Sequence, residues 1–283
     1  MNVADLIEVL DVELDDDGSY IGLVRDDPYR PVVEGSQMLA QSIVAAGRRQ
    51  PDRRPVSSNM LFARVANTSS PVAIVLDEVA NGRTFSAYTT RAVQGGKVCA
   101  VGNVMTDVKA PDVMRHHAAM PDVPGPEDVP EVNFGLDGRD IRIIDNAWVL
   151  DSNAPVGPPV LDAWVRYTGL PDDPVLHAGV VAFITGNFSI GTAMRPHAGI
   201  GQDQAHRTLS TGVNAIYLSF HAEPRADEWL LYRHESTFAG DGMTHSECRV
   251  FTHEGALVAS FSVESMVRGF ADPSKASDPS RAM

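Results

Sequence analysis

The chain has 283 residues, of which 43% are hydrophobic and 21% charged, which is the composition of a packed globule and excludes a disordered chain. Its net charge is −14 and its basic residues form no stripe, so nucleic acid and anionic membrane surfaces are excluded as partners on electrostatic grounds. The only cysteines, Cys99 and Cys248, lie outside any CxxC or histidine-rich motif, and the sequence predicts no zinc or other metal site.

The N-terminal residues predict the cellular compartment of the protein. Residues 1–8 carry acidic side chains where a signal peptide needs a basic end followed by an apolar core. No apolar run is expected to approach the roughly 20 residues that span a bilayer. The sequence therefore predicts a cytoplasmic protein that is not embedded in a membrane.

Residues 29–49 carry the first strong pattern along the chain. Val32, Leu39 and Ile43 fall at helical spacing, and Gly47 with the arginines after it gives a typical helix end. The segment is long and mostly apolar. It predicts a helix that is buried in the core.

From residue 56 to residue 108 the pattern changes to β-strands. Four segments are rich in β-branched and aromatic residues, namely 59–64, 72–79, 84–93 and 98–105. Asn81-Gly82 and Gly95-Gly96 are hairpin signals between consecutive segments. The first half is therefore predicted to be one helix followed by an antiparallel meander.

The second half repeats this order. Residues 109–138 mix five prolines with acids, which is a linker composition. Strands are then predicted at 140–145 and 161–167, a helix at 177–188, and strands at 209–220, 228–237, 245–252 and 257–267. The predicted domains are an N-terminal unit (1–110), a proline-rich linker (111–138), a C-terminal unit (139–271) and a mobile tail (272–283).

A residue-level match supports a duplication. Asn81-Gly-Arg-Thr-Phe-Ser lines up with Asp241-Gly-Met-Thr-His-Ser, and a second glycine turn follows 14 positions later in each half, at Gly95 and Gly255. A helix wrapped by a curved antiparallel sheet is the hotdog arrangement. The sequence thus predicts an α+β double hotdog, two tandem hotdog repeats whose central helices are buried against one continuous sheet.

Several motifs resemble a known family. Gly35-Ser-Gln-Met-Leu-Ala-Gln is similar to a Gly-Gly-Gln-x-x-x-Gln helix start, and Glu228-Trp-Leu-Leu-Tyr and Gly255-Ala-Leu-Val-Ala-Ser are similar to two later strands. With the Asn81-Gly82 hairpin, they resemble the acyl-CoA thioesterase II (TesB-like) family from about residue 20 to residue 270. The resemblance implies a double hotdog and hydrolysis of acyl-CoA to a free acid and CoA, without any cofactor.

The resemblance also implies where the attacking water is held. In the family an Asp on the second central helix, a Thr on the next strand and a Gln on the last strand hold this water. Here the Asp position is Gly186 or, counted from the other side, Thr185. The Thr position is Val213 and the Gln position is Val263. All three positions depart from the family's pattern.

Four other residues are candidates for this chemistry. Glu34 precedes Gly35 at the helix start, beside N–H donors that can stabilise an oxyanion. Gln41 can orient water, and Thr211 can do so if a small bulge in its strand lets it replace the missing hydroxyl; Thr185 can bind water but cannot act as its base. Each has a structural alternative: a first-turn acid that stabilises the helix dipole, a buried amide bound to sheet backbone, or ordinary structural threonines.

A basic cluster follows the first helix. Arg48 and Arg49, with Arg53 and Arg54 close behind, are candidates to bind the phosphates of CoA, while Gly35 is the candidate contact to its thioester end. The alternative for the arginines is a solvated loop.

Three functions follow for the whole chain. The first is an acyl-CoA thioesterase that acts by direct water attack without a covalent intermediate. The second is a catalytically degenerate protein that binds acyl-CoA without cleaving it. The third is a hotdog-fold enoyl-CoA hydratase, whose spaced Asp and His are not evident. A serine hydrolase is excluded because no Gly-x-Ser-x-Gly elbow occurs. The expected partner is acyl-CoA, and a double hotdog can stand alone or pair into a homo-oligomer.

Overall fold

The computed structural model describes residues 1–25, 31–148 and 150–270. The predicted tail of residues 272–283 lies outside these ranges. The described residues form four α-helices and twelve strands, and the strands all belong to one sheet.

The N-terminal segment contains three short elements that the sequence patterns did not reveal. Helix α1 (Val3–Leu10) begins with a capping box, in which Asn2 Oδ1 accepts the Asp5 N–H at 2.9 Å and the Asp5 carboxylate accepts the Asn2 N–H at 3.0 Å. Strands β1 (Glu13–Leu14) and β2 (Tyr20–Gly22) follow as a short hairpin at one edge of the sheet. Each of these elements is too short for its hydrophobic periodicity to be distinguished from a chance arrangement of residues.

The rest of the first half confirms the predicted helix and meander. Helix α2 (Gly35–Arg49) is buried along its length, from Ser36 to Gly47. Four strands follow it: β3 (Arg54–Phe62), β4 (Val72–Asn81), β5 (Phe85–Gln94) and β6 (Lys97–Asp107). Both predicted hairpin turns are present between these strands.

The second half contains two helices and six strands. Its elements are β7 (Arg139–Ile143), β8 (Val160–Tyr167), α3 (Pro174–Ile184), α4 (Ser189–Met194), β9 (Leu209–Phe220), β10 (Leu230–Gly240), β11 (Met243–Thr252) and β12 (Leu257–Gly269). The predicted strands are confirmed, with bounds that shift by a few residues.

The predicted helix at 177–188 needs a correction at both ends. It starts earlier because the Asp173 carboxylate caps it and Pro174 suits the first helical position. It ends at Ile184, and the chain turns before α4 begins at Ser189. Phe188 in this turn has φ 67°, in the left-handed region that a bulky side chain rarely adopts.

The sheet shows the duplication directly. Its strand order is β1-β2-β4-β5-β6-β3-β9-β12-β11-β10-β8-β7, so the second half repeats the order of the first half in reverse. The halves join where β3 pairs with β9, with Met60 opposite Ile216. The predicted continuous sheet of a double hotdog is confirmed.

A shared irregularity supports a common origin for the halves. Cys99 on β6 and Val258 on β12 are each left out of the strand pairing just after the second turn of their half. The Cys99 carbonyl accepts the N–H groups of Ala63 and Arg64, while the Val258 carbonyl accepts those of the two residues after Phe220. Such bulges are designed features rather than accidents. Finding one at equivalent places agrees with the repeat in the sequence.

The two central helices pack against each other in opposite directions. The end of α2, at Gly47, contacts Val175 at the start of α3, and the start of α2, at Ser36, contacts Gly186 just after the end of α3. Each end of the helix pair therefore combines one helix start with the other helix's end. This arrangement creates two equivalent places for a site.

The segment predicted to be a linker covers the outer face of the second half. Trp164 Nε1 on β8 donates to the Pro124 carbonyl at 2.9 Å. Val129 from this segment packs with Trp164, Leu231 and Phe251 in a small separate cluster. The segment between β6 and β7 thus shields one face of the second half from solvent.

The stretch Pro174–Met194 is more apolar than expected from the sequence. Pro174–Met194, which holds α3 and α4, is long and apolar enough to cross a membrane, so the expectation that no run approaches this length is wrong. Yet 72% of its apolar window is buried inside the protein. Ser246 Oγ on β11 donates to the Ser189 carbonyl at 3.1 Å, which fixes the start of α4 on the sheet. The stretch has the burial of a core helix.

Candidate functional site

A cavity of about 360 Å³ lies at one end of the helix pair. The start of α2, the end of β3, the turn after α3 and the start of β9 form its walls. The residues that line it include Glu34, Gly35, Ser36, Arg64, Gly186, Thr211, Val213 and Asn214. Among the described residues that line the cavity, Glu34 carries the only carboxylate and Arg64 the only cationic group.

The start of α2 is open toward this cavity. Glu34 precedes the helix with extended backbone, and its side chain makes no capping hydrogen bond. The N–H groups of Gln37 and Met38 bond to the Glu34 carbonyl at 3.1 and 3.4 Å. The N–H groups of Gly35 and Ser36 have no acceptor within the helix, since the first turn always leaves such donors. A helix start of this kind favours a negatively charged oxygen.

The opposite end of the helix pair has a second cavity, of about 370 Å³, that is equivalent by the duplication. There Asp173 occupies the helix start. Its carboxylate accepts the Val175 and Leu176 N–H groups at 2.9 and 3.3 Å and pairs with Arg48 at 2.7 Å. Burial acts to raise the pKa of Asp173, but Arg48 and the two N–H donors outweigh it and hold the pKa below its ordinary value. The helix start with free donors is therefore the start of α2.

Three predicted site residues meet at the open cavity. Glu34 and Gly35 form the helix start, and Thr211, 5% exposed, lies across from them on β9. A bulge is present in β9, but it lies at Asn214, beyond Val213, because Val213 pairs with Ser265 and Ala215 pairs with Glu264. Thr211 and Val213 stay in regular register with β12, so Thr211 reaches the cavity from its own position and does not take the place of Val213.

The positions where the family has its water-holding groups also map to this end. Gly186 and Val213 line the cavity. Val263 is buried on β12, two residues before Ser265. Thr185 is buried beside Gly186, but its Oγ1 donates to the Ala182 carbonyl at 2.6 Å, as helix-terminal threonines often do. The structure thus brings two of the departing positions, Gly186 and Val213, to the cavity that holds Glu34.

Gln41 is held away from the cavity. Its Nε2 donates to the carbonyls of Val9 and Leu23, both at 2.8 Å. These bonds tie α1 and the segment after β2 to the central helix. The structural alternative for Gln41, a buried amide bound to backbone, describes what the structure shows.

The basic cluster lies at the other end of α2. The 15 residues of α2 place it about 20 Å from the open helix start, at about 1.5 Å per residue. Arg48 pairs with Asp11 and Asp173, and Arg54 pairs with Asp107. Arg49 is exposed. The structure does not bring Arg48 and Arg49 to the open cavity.

Sequence reasoning missed a set of buried polar atoms at the open cavity. Ser36 Oγ, Asn214 Oδ1 and Ser265 Oγ are buried and have no hydrogen-bond partner within the described part of the chain. Ser36 has a sequence signal, because it replaces the second glycine of the Gly-Gly-Gln pattern. Asn214 and Ser265 have none, since their lack of partners depends on the folded sheet.

Among residues 1–25, 31–148 and 150–270, no group of three His, Cys, Asp or Glu side chains is arranged to hold a metal ion. The polar groups at the cavity are instead hydroxyl, amide, carboxylate and backbone N–H groups. Such groups bind and polarise a carbonyl or a water molecule.

Comparisons with known proteins agree with this architecture. Sequence models described as the acyl-CoA thioesterase N-terminal and C-terminal domains match residues 26–106 and 115–267. Acyl-coenzyme A thioesterase 8 of Mus musculus is 28% identical to this chain, and the match covers 92% of this chain and 88% of the relative. Acyl-CoA thioesterase 2 of Haemophilus influenzae is 25% identical, and the match covers 93% of this chain and 96% of the relative. The crystal structure of an acyl-CoA thioesterase II, TesB2, from Mycobacterium marinum covers 94% of this chain and 99% of its own, with 29% identity and a TM-score of 0.79. The chain belongs to the acyl-CoA thioesterase family, and it carries that family's N-terminal and C-terminal domains in tandem.

Proposed function

We propose that this chain hydrolyses an acyl-CoA to a free acid and CoA at the open start of α2, by direct attack of water. The observation that carries the proposal is the helix start itself, whose Gly35 and Ser36 N–H groups have no acceptor among the described residues and which opens into a cavity that also holds a carboxylate. The family's relatives supply the substrate class.

The first step of the proposal is polarisation of the thioester. Its carbonyl oxygen accepts the N–H groups of Gly35 and Ser36, and the helix dipole stabilises the negative charge that develops on this oxygen. Losing one such donor typically costs about 10²–10³-fold in kcat. The equivalent start of α3 cannot do this, because Asp173 already occupies it.

The second step is activation of water. The Glu34 carboxylate takes a proton from the water as the oxygen adds to the thioester carbon, and Thr211 orients this water. The tetrahedral intermediate then collapses, the C–S bond breaks, and the proton passes to the leaving thiolate of CoA. No bond to the protein forms at any stage.

The proposed substrate enters with its acyl chain in the cavity. Val33 and Met38 are buried side chains of the cavity wall, and Val65, 41% exposed, stands at its rim. Arg64 is exposed beside Val65 and supplies a cation near the entrance, where the phosphates of CoA can bind. Such an activity belongs to lipid metabolism.

One observation favours a second candidate, a protein that binds acyl-CoA without cleaving it. The three positions where the family holds water carry Gly186 (or, counted from the other side, Thr185), Val213 and Val263, and none of them has the Asp, Thr or Gln of the family's pattern. The two candidates differ in whether thiol is released, so one assay separates them. The hydratase alternative gains no support from the relatives.

The test is thiol release from acyl-CoA substrates of several chain lengths, by wild type and by Glu34→Gln. The amide cannot take a proton from water, so we expect kcat to fall by about 100-fold with little change in KM. Glu13→Gln is the matched control, because Glu13 is exposed on β1 and does not line the cavity. Wild type that binds acyl-CoA tightly without thiol release would establish the second candidate. A fully active Glu34→Gln would instead remove Glu34 as the base.

A further inference from the structure

Ser36 lines the cavity and carries a buried hydroxyl group. The residue is 2% exposed, and its Oγ has no hydrogen-bond partner within the described residues. A buried hydroxyl without a partner costs about 1–3 kcal/mol, so native proteins seldom keep one without a ligand or a bound water. The position of Ser36 in the first turn of α2 places this hydroxyl beside the proposed oxyanion donors.

Ser36 also fills the space opposite Gly186. A Cβ at position 186 would lie 2.6 Å from Ser36 Oγ and 3.1 Å from Ser36 Cβ. At this crossing of the two chain segments there is room for only one side chain. In this chain the side chain at this crossing is that of Ser36 and carries a hydroxyl, while Gly186 on the α3 side has no side chain. The exchange explains how position 186 can lack a polar group and the cavity can still have one.

Asn214 supplies a second unpaired polar atom on the opposite wall. The bulge in β9 takes Asn214 out of the strand pairing, and its Oδ1 atom is buried without a partner within the described residues. A hydroxyl can donate and accept, and an amide oxygen can accept two O–H groups. Both residues line the same cavity, and a water molecule bound by both would satisfy these two groups.

We propose that Ser36 and Asn214 hold the attacking water, and that Ser36 has taken over the place of a side chain at position 186. This inference rests on the proposed thioester hydrolysis. Glu34 remains the group that takes the proton, and the two new residues position the oxygen that attacks. They add a reason for the bulge at Asn214, which the fold alone does not require.

The test uses the difference between activity and stability. Ser36→Ala and Asn214→Ala each remove a polar atom that has no partner in the protein, so we expect the melting temperature to stay the same or rise. We expect kcat for thiol release to fall by about 10- to 100-fold in each variant, with KM changed less than about 2-fold. A purely structural role would give the reverse pattern.

Ser42→Ala is the matched control, because Ser42 is also a buried serine of α2. Its hydroxyl is satisfied, since it donates to the Met38 carbonyl at 2.9 Å and accepts from Thr90 Oγ1 at 3.0 Å. We expect Ser42→Ala to melt at a lower temperature and to keep the wild-type kcat. Loss of kcat in Ser42→Ala equal to that in Ser36→Ala would overturn the inference.

A paired exchange gives the sharpest result. Gly186→Asp alone should fold poorly, because its side chain collides with Ser36. Ser36→Gly combined with Gly186→Asp removes the collision and returns a polar group from the α3 side, so we expect it to fold normally and to recover at least the kcat that Ser36→Gly alone has lost. Absence of recovery in a folded double variant would refute the exchange.

The outcomes separate this inference from the proposed function. Wild type without any thiol release overturns both. Active wild type that depends on Glu34 but tolerates Ser36→Ala and Asn214→Ala overturns the inference alone and leaves the proposed function in place.

Discussion

His234→Phe is expected to reduce the loss of stability between pH 7 and pH 5 by about 2 kcal/mol relative to wild type. His234 lies on β10, opposite Leu161 of β8 and Cys248 of β11, and is fully buried. Phe188 and Phe261 contact its ring edge-to-face, with ring centroids 5.7 and 5.5 Å away. Neither ring nitrogen has a hydrogen-bond partner within the described residues.

The direction of this change in pH dependence follows from the pKa of His234. Burial lowers the pKa of His234 from 6.5 to about 3. Above pH 6.5 this histidine is neutral in both the folded and the unfolded chain, and its full contribution to the free energy of unfolding is present. As the pH falls from 6.5 toward 3, the unfolded chain binds a proton that the folded chain cannot, so the free energy of unfolding decreases. At pH 5 the pKa difference corresponds to about 2 kcal/mol.

The measurement is the free energy of unfolding in urea at pH 7 and at pH 5. Phenylalanine keeps an aromatic ring among Phe188 and Phe261 and removes the two nitrogens without partners, so the stability at pH 7 should change by less than about 1.5 kcal/mol. His116→Phe, the same change at an exposed histidine, is the control and should keep the acid sensitivity of wild type. Equal pH dependence in wild type and His234→Phe would mean that the folded protein does not lower the pKa of His234.

The parts of this fold that are local in sequence could be predicted, and those that depend on distant contacts could not. The apolar spacing in α2 and the Asn81-Gly82 hairpin need only neighbouring residues, so their patterns are legible in one sequence. The end of α3 at Ile184 is also marked locally, by Gly186 and Asn187, so the prediction that the helix continues to Phe188 overlooked a helix-stop signal. The pairing of β3 with β9 joins residues more than 150 positions apart and follows from the closure of the whole sheet.

The same distinction applies to the site. Glu34 and Gly35 could be proposed because a helix start has a recognisable sequence and a known electrostatic preference. Arg48 looked free in the sequence, but its partners Asp11 and Asp173 lie 37 and 125 positions away. Whether a polar group is satisfied is a property of the folded chain. This is why the lack of a partner for Ser36 Oγ and for Asn214 Oδ1 could be found only in the structure.

Gly102→Ala is expected to destabilise the protein by about 3 kcal/mol, at the upper end of what overpacking usually costs. A Cβ on Gly102 of β6 would lie 2.0 Å from the Asn59 carbonyl oxygen and 3.1 Å from the Met60 Cα. Both atoms belong to the backbone of β3, so no side chain can turn away to make room. The strand itself has to move.

Movement of β3 is costly because this strand joins the two halves of the protein. Asn59 and Met60 pair with β6 on one side and with Tyr217 and Ile216 of β9 on the other. Urea unfolding measures the loss, and Gly125→Ala is the control, since Gly125 has φ −65° and open space around it and should change stability by less than about 0.5 kcal/mol.

The same variant tests how the joint supports the site. The strand β3 ends at Phe62, which lines the open cavity beside Gly35. If the pairing of β3 with β9 holds the cavity walls in register, Gly102→Ala should lower kcat for thiol release even at temperatures where the variant is fully folded. A folded variant with wild-type kcat would show that the helix pair alone maintains the geometry of the site. The joint between the halves would then serve only stability.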